Sequence, residues 1–188
     1  MRNLSKLCAM LALAGCSLGC SGVPQNVATL DVDLCSDYPL ESLGQPEDGL
    51  FIRELYDAQA AASSMGYSVS CRLTPVSDIY TANVTIRAGE SFCDMRYNPD
   101  TMRAAHREYG RYTIVALFGH EIGHVISTME TGGFMEPVKS QLFSDRVAGR
   151  TLHILGVNHE EFDMTRDWFS ARGESRTEAF VGGYEECK

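Results

Sequence analysis

The chain has 188 residues, 44% of them hydrophobic and 22% charged, with a formal net charge of −9. That length suits one domain with a substantial core. The acidic balance argues against nucleic acid and anionic lipid headgroups as partners.

At the N-terminus, Arg2 and Lys6 precede a short apolar stretch, Leu7 to Ala14. It is too short to cross a bilayer core of about 30 Å as a mature helix. It runs into Leu13-Ala14-Gly15-Cys16, which looks like a bacterial lipobox, whose cysteine sulfur takes a diacylglycerol. The plain alternative is an ordinary signal peptide, and Cys20 follows a poorer version of the same pattern. We read residues 1–15 as a lipoprotein signal peptide, Cys16 as the lipidated residue and 16–30 as a small, polar tether. Ser17, rather than an aspartate, follows Cys16, which resembles the pattern of lipoproteins sorted to the outer membrane and facing the periplasm. The lipid is then the membrane anchor. Of the seven cysteines, Cys8 falls in the leader and Cys16 carries the lipid. In an oxidising envelope, two disulfides are expected among Cys35, Cys71, Cys93 and Cys187, with Cys20 unpaired and the pairing left open. The absence of any C-x-x-C disfavours a cysteine metal site.

Residues 31–188 are read as a single domain. Residues 31–49 are turn-rich, and Asp48 is a candidate cap for a helix over about 50–65, where Leu50, Phe51, Leu55, Ala58 and Ala62 share a face. Tyr67 to Leu73 alternates as a half-buried strand does, and Val76–Tyr80, Asn83–Arg87 and Met95–Tyr97 are further short strand candidates. Asn98-Pro99 signals a turn into a helix over 100–109, closed by Gly110. An apolar helix follows over 111–128, ended by Thr131-Gly132-Gly133. Pro137 opens another over about 138–155, and 162–169 reads as a shorter one. The expected fold is α+β: a small zincin-like domain with a short mixed sheet packed on a helix bundle.

The chemistry lies in the apolar helix, where residues 120–124 read His120-Glu121-Ile122-Gly123-His124. Two imidazoles four residues apart on a helix share a face and can reach one Zn²⁺, while the intervening glutamate can take a proton from water activated there. The plain alternative is a core helix that happens to carry two histidines. His106 reads as part of a solvated face, His153 as a core or surface residue and His159 as a helix start. Met129, Met135 and Met164 read as packing residues.

The H-E-x-x-H helix, Tyr97-Asn98-Pro99 before it, Gln141 to Gly149 after it and Arg176 to Phe180 with Gly183-Tyr184 together resemble the gluzincin proteases related to the HtpX-type and CAAX-prenyl proteases. The resemblance covers roughly residues 83–188. It implies a zincin-like fold, a zinc cofactor and a peptide or protein substrate. In that group the following helix reads E-x-x-A-D-x-x-A-G, where the Glu is the third zinc ligand and the Asp buttresses the site. Here Asp145 matches that Asp, Ala148-Gly149 match the small pair, and Gln141 stands in place of the ligand Glu. The third ligand is therefore Asp145 or Gln141, with Asp145 slightly preferred as the only anion on that face. Glu130 is a further candidate, disfavoured because Ser127 occupies a position that favours glycine, and Glu136 is another without support. The group's His-Pro ahead of the terminal Arg is replaced by Gly173-Glu174-Ser175. The function expected is zinc-dependent peptide hydrolysis by an envelope lipoprotein, with Glu121 as general base. The alternative is a weak or inactive zincin-fold lipoprotein that serves as an envelope binding or assembly factor.

Overall fold

The apolar stretch around Ile114 to Ile126 becomes the helix at the centre of the molecule. The computed structural model describes residues 51–87 and 90–186. The leader, Cys16, the tether, Asp48, Cys20, Cys35 and Cys187 lie outside the described residues. The order is α1 (Ile52–Ser64), β1 (Ser70–Pro75), β2 (Ala82–Ile86), β3 (Phe92–Tyr97), α2 (Pro99–Tyr109), α3 (Arg111–Thr131), α4 (Pro137–Ile154), α5 (His159–Ser170) and α6 (Glu174–Glu185). Among the described residues this is the expected α+β class, with a small mixed sheet and six helices. Among the described residues no helix is long and apolar enough to cross a membrane.

The sheet order is β1-β3-β2, with β1 parallel and β2 antiparallel to β3. Ala82, Val84 and Ile86 of β2 and Cys93, Met95 and Tyr97 of β3 are all buried, so the period-two alternation turns one face of each strand into the core. Cys71 and Cys93 stand opposite each other in the β1–β3 register and form a disulfide 22 residues apart. A loop of that length closed covalently is worth about 3 kcal/mol against the unfolded chain.

Three local expectations are corrected. The strand expected from Tyr67 starts only at Ser70, because residues 65–67 complete the C-terminal turn of α1 through Gly66, at φ 93°. The strand expected over Val76–Tyr80 is instead a run of bends. Its Ile79 carbonyl accepts from the Asn98 side chain at 2.8 Å and Thr81 O from Asn98 N at 2.7 Å, so this segment feeds a helix cap rather than a ladder. The segment after Gly173 is a full helix, α6, which the sequence reading left without an element.

α3 is buried on every side from Thr113 to Thr128, as a helix enclosed by α1, α2, α4, α5 and the sheet must be. Glycine sets how closely its neighbours approach. A Cβ on Gly123 would stand 2.7 Å from Ser144 Cα, so α3 and α4 cross almost backbone to backbone beside the H-E-x-x-H turn. The same device joins α4 to α6: a Cβ on Gly149 would lie 1.9 Å from Phe180 O, and one on Gly183 equally close to Arg146 O.

Candidate metal centre

His120, Glu121 and His124 occupy adjacent turns of α3, and all three are 0% exposed. The two rings lie edge to face, and their Nε2 atoms are 3.1 Å apart. Each ring is held from its other nitrogen by α4. His120 Nδ1 is 2.8 Å from Asp145 Oδ1, and His124 Nδ1 is 2.8 Å from Ser140 Oγ. An ionised carboxylate only accepts, so this close approach favours the tautomer of His120 with its proton on Nδ1 and its lone pair on Nε2. Ser140 Oγ can take the Nδ1 proton of His124 in the same way. Burial pushes the His120 imidazole down to about 4 although Asp145 beside it pulls the other way. Burial first, and His120 second, also lower His124. Both rings are therefore neutral at pH 7, the form in which imidazole binds a metal.

Asp145 does not offer a free oxygen to the Nε2 pair. Arg176, from the first turn of α6, grips it through Nε at 2.6 Å from Oδ2 and Nη2 at 2.9 Å from Oδ1, and Oδ1 also meets His120 Nδ1. Burial works to raise this carboxyl, but His120 and Arg176 outweigh it and hold it at about 2. In this geometry Asp145 meets His120 at Nδ1, on the edge of the ring remote from Nε2. Among the described residues no group of three or more His, Cys, Asp or Glu side chains is arranged to hold a metal ion. Gln141, one turn before Asp145 on α4, has its Oε1 buried without a hydrogen-bond partner.

Glu121 also has both carboxylate oxygens buried and unpartnered. Burial raises its carboxyl well above the usual carboxylate range, against the downward pull of Arg172 and Arg176. A folded chain keeps such a group at a cost of about 1–3 kcal/mol, which points to use rather than packing.

The other candidates fall away from this cluster. Glu130 is exposed and accepts the Tyr67 hydroxyl. Glu136 caps α4, accepting from Val138 N and Lys139 N at 3.1 Å. His153 and His159 pack against the Tyr184 ring, and His106 is exposed. Asn98 caps α2 as the turn reading expected, and His159 begins α5. Ser140, Arg172 and Arg176 were not singled out from the sequence as site residues. The signal for Arg176 was its phase with Phe180, Gly183 and Tyr184, which is the spacing of a helix face. No known protein family, no curated protein and no solved structure matches this chain.

Proposed function

We infer that the protein is a zinc-dependent peptide hydrolase, with His120, His124 and Gln141 holding the metal and Glu121 as general base. The observation that carries this reading is the pair of facing Nε2 atoms, 3.1 Å apart, with an unpartnered buried carboxylate on the same turn. Two nitrogens bound to one zinc at about 2.0–2.1 Å stand about 3.3 Å apart in a tetrahedral shell, so the donor pair fits the ion. Asp145 and Ser140 fix ring orientation from outside, a common arrangement around metal-binding histidines.

When bound, zinc supplies Lewis acidity, lowering the pKa of water and polarising a carbonyl. The chain's own residues do the rest. Glu121 accepts the proton of the attacking water as its oxygen bonds to the carbonyl carbon, then returns it to the nitrogen as the C–N bond breaks. A peptide laid along an exposed sheet edge is the natural way to present an extended substrate. Lipidation at Cys16 would place this activity on the periplasmic side of the outer membrane. The binding-factor alternative draws on the neutral Gln141, and an unused Glu121 beside two paired imidazoles speaks against it.

The purified protein is expected to hold about one zinc per chain and to cleave blocked peptides. Cleavage should disappear with a chelator and return with added zinc. Zinc bound without any cleavage would favour the binding factor, and no zinc bound would sink both the metal centre and the hydrolase. Gln141 is tested separately by competition against a zinc chelator. Gln141→Glu is expected to tighten zinc by roughly tenfold, since a carboxylate adds an anionic donor, and Gln141→Leu to weaken it by a similar factor. No change in either variant would remove Gln141 from the shell.

A further inference from the structure

Each imidazole of the pair has one partner on α4, and the two partners differ in kind. Asp145, gripped by Arg176, meets His120 Nδ1 at 2.8 Å and can only accept. Ser140 meets His124 Nδ1 at the same 2.8 Å, and a hydroxyl can either accept or donate. With the 3.1 Å contact between the Nε2 atoms, the side chains of Ser140, His124, His120 and Asp145 form one continuous line across two helices. Ser140 is 3% exposed and the other three are 0% exposed, so little solvent competes along it.

The order of protons along that line follows from its fixed end. Asp145 draws the His120 proton to Nδ1 and leaves a lone pair on Nε2. A second lone pair facing it at 3.1 Å is unfavourable unless a proton or a cation lies between the two nitrogens. With a proton there, His124 carries it on Nε2, its Nδ1 becomes an acceptor, and Ser140 has to donate. With a cation there, His124 Nε2 gives its lone pair to the metal, the ring proton is on Nδ1, and Ser140 has to accept. The state of one ring nitrogen is tied in this way to what the other one meets. Only a group able to reverse its role serves both arrangements, and a hydroxyl is such a group. A carboxylate in its place would serve only the second.

Resting on the zinc site of the hydrolase reading, we propose that Ser140 is a positioning residue that reverses its hydrogen bond to His124, donating to Nδ1 while the two rings share a proton and accepting from Nδ1 once Nε2 binds zinc. One proton leaves Nε2 and one arrives at Nδ1, so the ring ends as neutral as it began. The hydroxyl turns, and no other bond is made or broken. His124 is held at the same angle in both arrangements, ready for the metal before it arrives. α4 thus gives one ring a partner that can switch, Ser140, and the other a partner that cannot, Asp145.

Nitrogen NMR of the histidine rings, on isotope-labelled protein in a chelator and again after zinc is added, reads the tautomers without reference to activity. In the chelated protein His124 is expected to carry its proton on Nε2 and His120 on Nδ1. Zinc should move the His124 proton to Nδ1 and leave that of His120 where it was. A His124 proton already on Nδ1 before zinc is added makes Ser140 a fixed acceptor and overturns the proposal, while the hydrolase reading stands. The expected switch without any peptide cleavage upholds Ser140 and removes only the hydrolase. A protein that binds no zinc, or binds it with the His124 proton still on Nε2, overturns both. In competition against a zinc chelator, Ser140→Ala is expected to weaken zinc by about 10–100-fold, and Ser140→Thr, which keeps the hydroxyl, to recover most of that loss. No loss in Ser140→Ala, or an equal loss in both variants, overturns the positioning role as well. Should Ser140→Ala fail to unfold cooperatively, the wild-type tautomers and Ser140→Thr decide.

Discussion

Glu121→Gln is expected to lower peptide cleavage by on the order of 10²–10⁴-fold, the range a general base contributes, while zinc content stays unchanged. The same substitution should raise the stability of the metal-free protein. Both carboxylate oxygens of Glu121 are buried without partners, and burial drives its carboxyl upward, so the folded state carries a desolvated acid that the unfolded chain keeps in water. Removing that acid recovers about 1–3 kcal/mol, lessened by whatever the buried amide of Gln itself costs; Glu121→Met avoids that cost. Urea unfolding of the chelated protein measures it. Loss of activity with a gain of stability is the signature of a group retained for function. Loss of activity with loss of stability would instead mean that Glu121 holds the core together, and the general-base role would lose its main support.

The part of this site that could be read from the sequence is the part written on one helix. His120, Glu121 and His124 are bound by a spacing that only a helix satisfies, and the surrounding apolar run made α3 legible almost to its ends. α1 was legible from its apolar face and α2 from its Asn98 cap. What resisted reading was written across elements. Asp145 and Gln141 lie four residues apart on α4, and both sit on the side facing α3. Which one points at the Nε2 pair depends on how α3 and α4 cross, and that crossing is set by Gly123 against Ser144. Arg176 lies 31 residues from its partner Asp145 and becomes visible only once α6 is a helix docked through Gly149 and Gly183. The Val76–Tyr80 segment has strand-forming residues, but Asn98 draws two of the segment's neighbouring carbonyls into the α2 cap, and tertiary demand overrides propensity. The disulfide illustrates the same limit: four cysteines allowed several pairings, and only the parallel register of β1 with β3 selects Cys71 and Cys93.

Asp145→Ala is expected to destabilise the protein by about 3–5 kcal/mol, because it strands a largely buried guanidinium and leaves His120 Nδ1 without an acceptor. Asp145 is 0% exposed, and the side chain of Arg176 is 18% exposed, so little solvent screens the loss. The double variant Asp145→Leu with Arg176→Met should regain most of that stability, since an apolar pair of similar volume carries no desolvated charge. The zinc affinity of the double variant then reports the role of Asp145 free of the folding defect. An orienting residue is worth about 10–100-fold in metal affinity, because His120 keeps its place on α3 but loses the tautomer and the ring angle that Asp145 imposes. Asp145→Asn sharpens the distinction. Its amide oxygen can still accept from His120 Nδ1 and so keeps most of an orienting role, whereas an anionic ligand cannot lose its charge without losing most of its hold on the metal. Near-wild-type zinc affinity in Asp145→Asn therefore fits the geometry around His120, and loss of zinc in that variant with the fold intact would return Asp145 to the coordination shell.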